Sequence, residues 1–177
     1  KPYPDIIELV RHETNMGKGA AVRTALAQVS GDVVIIQDAD LEYDPRDYEV
    51  LVRPLEEDTA DVVYGSRFLD GRRGALLSSY LANRFLTFLT NLLYNANLTD
   101  METCYKAVRT PLLEDLVLRS NAFNIEPEIT AKLLKAGARL CEVPIRYAGR
   151  GYQEGKKIGW RDGLQAIWTL LRYRFTN

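Results

Sequence analysis

The chain has one histidine, two cysteines and almost no net charge over its 177 residues. Each shortage removes a class of function. The cysteines, Cys104 and Cys141, are not spaced as a metal clip and sit among apolar residues, so they read as reduced core thiols of a cytosolic protein. His12 is read as structural or exposed, with no catalytic role. A net charge of -1, from 23 basic and 24 acidic residues, gives no case for a nucleic-acid partner. No apolar run reaches the roughly 18 residues of a membrane span. The longest candidate, 81–93, is interrupted by Asn83, Arg84 and Asn91. Neither a secretory signal nor an internal repeat, low-complexity tract or linker is visible, so a single domain over 1–177 is expected.

What is present is ordinary in bulk and uneven in detail. At 46% hydrophobic and 27% charged the composition is that of a globular domain. Residues 32–61 hold eleven acidic and two basic side chains, and residues 139–177 hold eight basic and three acidic. The first stretch suits a cation, the second phosphate or an anionic membrane surface.

Periodicity predicts strands at Ile6–Val10, Val33–Gln37, Ala60–Tyr64, Thr103–Val108 and Leu140–Ile145. Helices are predicted at Ala20–Val29, Arg46–Glu57 (with Pro45 near its first turn), Ser79–Asn95, Thr110–Leu118, Ile125–Ala136 and Gly159–Phe175. Alternation of strand and helix in the first half implies parallel α/β units with the second strand buried on both faces. The last helix carries Trp160, Leu164, Ile167, Trp168, Leu171 and Phe175 at helical spacing. That stripe reads either as a core-packing face or as an interfacial face resting on a membrane.

Asp38-Ala39-Asp40 follows the apolar run Val33–Ile36 directly, and ligands of open α/β sheets bind beyond the carboxyl ends of strands. Two carboxylates in one turn can approach one ion, with Glu42 a possible third ligand. Hard oxygen donors of this kind suit Mg²⁺ or Mn²⁺ shared with substrate phosphates.

The ordered set Asn15-Met16-Gly17-Lys18-Gly19, Gly31-Asp32, Asp38-Ala39-Asp40-Leu41-Glu42-Tyr43-Asp44-Pro45, Gly65-Ser66-Arg67-Phe68, Asn83-Arg84-Phe85, 100–106 (Asp-Met-Glu-Thr-Cys-Tyr-Lys), 123–130 and 155–160 resembles family 2 glycosyltransferases, in their dolichyl-phosphate mannosyltransferase-like branch. The resemblance implies a GT-A (Rossmann-like) fold with a mostly parallel central sheet flanked by helices. It also implies inverting transfer of mannose or glucose from a GDP-mannose or UDP-glucose type donor to a polyprenyl (dolichyl or undecaprenyl) phosphate.

By motif position, Asp38, Asp40 and Glu42 would hold the metal on the donor diphosphate. Asn15, Gly17 and Lys18 match the loop near the donor nucleotide. Arg67, Arg84, Arg150, Lys156 and Lys157 would grip donor or acceptor phosphates, with Asp40, Arg67 and Arg84 closest to the chemistry. The family's Pro-x-Tyr-Asn-Glu strand end and Asp-Gly-Ser turn have no counterpart, so the domain is expected to be N-terminally incomplete.

A phosphate monoester loses its second proton at about pH 6, so such an acceptor needs cations to position it more than a base to activate it. A hydroxyl acceptor would need a base, for which Glu126 or Glu128 is available. The expected setting is the cytoplasmic face of a membrane. Two other readings stay open: a family 2 enzyme of cell-wall or exopolysaccharide synthesis with a hydroxyl acceptor, and an inactive or partner-binding module on the same fold.

Overall fold

Among the described residues four strands form one sheet in the order β1-β3-β2-β4: β1 Val33–Ile35, β2 Val62–Ser66, β3 Lys106–Arg109 and β4 Leu140–Pro144. The computed structural model describes residues 6–70, 77–149 and 159–176. β4 pairs with β2 in parallel, whereas β3 runs antiparallel to both β1 and β2. β1, β2 and β4 therefore point the same way. Among the described residues the chain runs back once, as β3, which lies between β1 and β2. Three of the four described strands share one direction, as a mostly parallel sheet requires, and β3 running against them makes it mixed.

Among the described residues six helices flank it: α1 Lys18–Leu26, α2 Tyr48–Glu56 (entered through a 3-10 turn at Pro45–Asp47), α3 Leu77–Tyr94, α4 Thr110–Glu114, α5 Ile125–Lys135 and α6 Trp160–Phe175. Side-chain alternation along β3 assigns the faces. Lys106 reaches Glu126 on α5, while Tyr105 meets Tyr48 on α2 and Arg109 reaches the Leu55 carbonyl at the end of α2. Odd positions thus face α2 and even positions face α5. Leu51 and Leu55 on one side and Ile125, Ile129 and Leu133 on the other are fully buried, closing both halves of the core.

Several expectations change. Ile6–Val10 is not a strand: these residues lie exposed and pair with no strand among the described residues, so the apolar pattern alone does not order them. β1 is half-buried rather than covered on both faces, because among the described residues only β3 pairs with it. The helix predicted over Thr110–Leu118 stops at Glu114, where the chain turns so that the Arg119 and Ser120 amides reach Glu128.

Most of the stripe on α6 faces outward, and of its six residues only Ile167 is partly buried against the core. Trp160, Leu164, Trp168, Leu171 and Phe175 are exposed, and the helix buries Ala166, Thr169, Leu170 and Tyr173 instead. α6 packs on α3 and α5, with the Tyr94 hydroxyl donating to the Leu170 carbonyl at 2.7 Å.

The glycine-rich loop before α1 is held by backbone proximity. A Cβ on Gly19 would lie 2.4 Å from the Ser120 carbonyl oxygen. Gly19→Ala should therefore force backbone displacement and cost about 1–3 kcal/mol. The check is a lower urea midpoint at an unchanged slope.

Candidate active site

The direction of β1, β2 and β4, opposed by β3, brings four segments to one edge of the sheet. These are the 36–42 turn after β1, the 66–68 turn after β2, the 99–105 segment entering β3, and the 145–148 segment after β4. Such an edge, outside the carboxyl ends of the strands, is where α/β folds bind ligands.

The loop before α1 leans against this edge. Gly17 has φ 91°, a conformation that favours glycine, and a Cβ there would meet the Asn121 carbonyl oxygen at 2.3 Å. The Asn15 side chain accepts the Gly17 amide at 3.0 Å, so Asn15 and Gly17 shape the loop. From it Lys18 reaches inward, its Nζ 2.8 Å from Asp38 Oδ2 and 2.8 Å from Glu126 Oε1. Glu126 in turn pairs through Oε2 with Lys106 at 2.5 Å. Lys106 is fully buried, donates to the Met101 and Thr103 carbonyls, and lies 4.7 Å from the centre of the Tyr64 ring. The result is a ladder of alternating charge, Asp38–Lys18–Glu126–Lys106, tying β1's turn, α1, α5 and β3 together.

Burial opposes charge on Lys18, but Glu126 and Asp38 outweigh it, so its pKa is raised and the ammonium persists. Burial likewise disfavours the Glu126 carboxylate, yet Lys106 and Lys18 prevail and hold its pKa below the usual carboxylate range. Glu126 is consequently ionised and committed to two cations. Glu128 is committed as well, accepting the Arg119 and Ser120 amides and pairing with Lys132 at 2.5 Å.

The acidic turn is shaped by its own contacts. Asp40 Oδ1 accepts the Glu42 amide at 3.3 Å across Leu41, whose φ is 61°. Glu42 Oε2 accepts the Tyr147 hydroxyl at 3.0 Å, and the Glu42 carbonyl takes the Ala148 amide. Glu42 is thereby drawn toward the segment after β4. Among the described residues no three acidic, histidine or cysteine groups come together as a metal site, so Asp38, Asp40 and Glu42 are not gathered as one set. Asp38 and Asp40 remain in one turn, and Asp38 keeps a third of its side chain exposed. Two hard carboxylates fit an ion such as Mg²⁺ that completes its shell with substrate phosphates and water.

Arg67 follows β2 and is clamped by Asp100. Nε and Nη2 each donate at 2.7 Å to the carboxylate, and the Arg67 backbone amide adds a third bond at 3.0 Å. Burial works against the guanidinium charge, but Asp100 overcomes it and raises the Arg67 pKa well above its usual value. The Tyr147 ring lies 5.1 Å from the guanidinium carbon. The 99–100 turn is itself fixed by Glu142 of β4, which accepts the Thr99 and Asp100 amides at 2.7 and 2.9 Å. Arg84, exposed on α3, donates to the Thr99 carbonyl at 3.2 Å. Arg67 and Arg84 therefore converge on one turn. Arg150, Lys156 and Lys157 lie outside the described residues. His12 bonds Thr24 at 2.8 Å, a structural contact.

Sequence reasoning assigned no role to Asp100, Lys106, Glu142 or Tyr147. Only Lys106 advertised itself, as a lone charge inside the apolar run Cys104–Val108.

Replacing Glu126 with Gln leaves two buried ammonium groups facing a neutral amide, and stability should fall by about 3–5 kcal/mol. Because the folded-state pKa of Glu126 is depressed, its contribution is present above the usual carboxylate range and is lost as pH falls through and below that range. Glu126→Gln should therefore narrow its deficit toward wild type on acidification, as read by denaturant titrations at several pH values.

Residues 1–117 match the profile of Glycosyl transferase family 2. The chain is 30% identical over 140 residues to the glycosyltransferase AglJ of Haloferax volcanii, covering 78% of this chain and 46% of that protein. It is 28% identical over 160 residues to the undecaprenyl-phosphate mannosyltransferase of Micrococcus luteus, covering 81% and 64%. It thus spans about half to two-thirds of the length of these relatives. Among solved structures, glucosyl-3-phosphoglycerate synthase from Mycobacterium tuberculosis, in complex with Mn²⁺, UDP and phosphoglyceric acid, superposes with a TM-score of 0.67 at 23% identity, covering 91% of this chain and 55% of that one. That likeness is one of fold, and the GT-A architecture expected from sequence is the one present.

Proposed function

Because the chain belongs to glycosyl transferase family 2, we propose that it is the catalytic domain of a hexosyltransferase that moves mannose or glucose from a nucleotide-sugar to a polyprenyl phosphate at a membrane surface. The observation that supports this reading is the junction of the Arg67–Arg84 pair at the 99–100 turn with an exposed apolar surface. On α3, Leu77, Leu81, Phe85, Phe88 and Leu92 are each more than half exposed and recur at one-turn and two-turn intervals, forming a single outward stripe. At about 3.6 residues per turn, Arg84 falls on the border of that stripe. Its guanidinium reaches the turn that holds Arg67.

The stripe on α6 repeats the spacing, with Arg161 and Arg172 on one border and Arg174 on the other. Aromatic and aliphatic side chains flanked by arginine are the pattern of a helix lying in a lipid interface. No helix among the described residues is long and apolar enough to cross the membrane. The relative from Micrococcus luteus, named for an undecaprenyl-phosphate acceptor, supports the same acceptor class.

The chemistry follows from the charges. An acceptor phosphate oxygen attacks the anomeric carbon, and the glycosyl bond to the nucleoside diphosphate breaks. The phosphate is already anionic at neutral pH, so its demand is for cations that orient it, and Arg67 and Arg84 provide them. Arg67 is pre-aimed by Asp100 and does not reorganise when charge arrives. Asp38 and Asp40 would hold Mg²⁺ or Mn²⁺, which supplies Lewis-acid stabilisation to the departing diphosphate. Lys18 keeps Asp38 in place while its own charge is satisfied by Glu126. A hydroxyl acceptor would require a proton acceptor, and Glu126 and Glu128 are both already committed to cations and amides.

The reading is tested with a short-chain polyprenyl phosphate as acceptor. Arg84→Ala should raise the acceptor KM by roughly 10- to 100-fold, the loss expected for a charge-assisted hydrogen bond, with the donor KM unchanged. Transfer to a soluble sugar hydroxyl, unaffected by Arg84→Ala, would contradict it. Independently, Phe85→Glu combined with Trp168→Glu should abolish co-sedimentation with anionic vesicles while leaving the circular dichroism spectrum intact.

A further inference from the structure

The ladder and the arginine clamp together contain three buried or largely buried cations, Lys18, Lys106 and Arg67, matched by Asp38, Glu126 and Asp100. Glu102 is a carboxyl left over from that pairing. It sits on the segment that carries Asp100 on one side and the Lys106-binding carbonyls of Met101 and Thr103 on the other. Its Oε1 is buried without a hydrogen-bond partner among the described residues. An ionised carboxylate in that position would place a fourth negative charge among three positive ones, with one oxygen unsatisfied.

We propose that Glu102 carries a proton in the resting protein, and that releasing this proton weakens the hold of Arg67 on a bound phosphate. The groups facing it are Lys106 from β3, Glu126 from α5, Arg67 from the end of β2 and Asp100 from its own turn, with Glu142 of β4 behind the Asp100 amide. Burial is the strongest influence on its acidity. Lys106 and Arg67 favour ionisation, and Glu126 and Asp100 oppose it. The balance raises the pKa to about 7, where small pH changes alter the charge.

Once ionised, Glu102 becomes a second acidic neighbour of the guanidinium already clamped by Asp100. The field that draws an anionic ligand falls accordingly. Glu102 acts here through Arg67, as a positioning residue, and the coupling to phosphate binding rests on the acceptor reading above.

Two measurements on the wild type and Glu102→Gln decide the matter. The first is thermal stability against pH. A group whose folded pKa is raised stabilises the fold while it remains protonated, and that contribution is lost as pH rises from the usual carboxylate range through the folded value. The melting temperature of Glu102→Gln relative to wild type should therefore climb between about pH 4.5 and 7 and level off above. A difference that does not vary with pH overturns the proton assignment.

The second is calorimetric binding of citronellyl phosphate. Wild-type affinity should fall by up to about fivefold between pH 7 and 8, the limit set by one ionisation centred near pH 7, and Glu102→Gln should abolish that fall. Parallel profiles for the two proteins overturn the coupling to Arg67. Failure of both proteins to bind the phosphate at every pH removes the acceptor reading and this coupling with it, and loss of binding in Glu102→Gln alone overturns the coupling, while the stability comparison still decides whether Glu102 holds the proton.

Discussion

The ion-pair ladder from Asp38 through Lys18 and Glu126 to Lys106 is the constraint on which the rest of the site depends. Lys106 is a fully buried cation in the middle of a sheet, and Lys18 is nearly so. Neither can be left alone in that environment, because removing an ion from water costs several kcal/mol unless partners replace the solvent. Glu126 is the one group that serves both. The ladder therefore fixes how α1, the turn after β1, β3 and α5 sit relative to one another, and it carries that order to the surface at Asp38.

A second clamp works on the same logic a few residues away. Asp100 is buried, and its carboxylate is answered by three donors of Arg67. Glu142 then secures the backbone that presents Asp100. Two charged devices thus stand side by side at the strand ends, one ending in a carboxylate and the other in a guanidinium. That division of sign matches a nucleotide-sugar site in which a divalent ion meets the donor diphosphate and arginines meet phosphate oxygens. On the proposed reading, the exposed apolar stripes of α3 and α6 would set a lipid surface beside the arginine half.

Much of this was legible in the sequence because it is written in local patterns. The helices α2, α3, α5 and α6 follow from apolar spacing and from Pro45 and Gly137. The acidic turn follows from Asp38 and Asp40 at the end of an apolar run. Family motifs placed Arg67 and Arg84 at the site, and the structure brings both to the 99–100 turn. What was hidden is non-local. Nothing in the run Thr103–Val108 states that it threads antiparallel between β1 and β2, because strand direction is set by pairing and not by pattern. The apolar spacing of Ile6–Val10 looks like a strand, but spacing supplies no neighbour to pair with. The α6 stripe shows the same limit: periodicity identified a face and left open whether that face turns inward or outward. Glu126 looked like a possible base because its partners Lys18 and Lys106 are distant in sequence, and Glu128 because the turn that delivers the 119–120 amides to it lies within a segment predicted to run on as helix to Leu118.

The central claim is that Asp38 and Asp40 meet an activated sugar through a divalent ion. Calorimetric titration of the protein with GDP-mannose and UDP-glucose, with and without Mn²⁺, tests it most directly. The account predicts that one donor binds only when the metal is present, and that Asp40→Ala removes the metal-dependent binding while leaving the melting temperature nearly unchanged. Donor binding of equal strength without metal, or binding indifferent to Asp40→Ala, would contradict it.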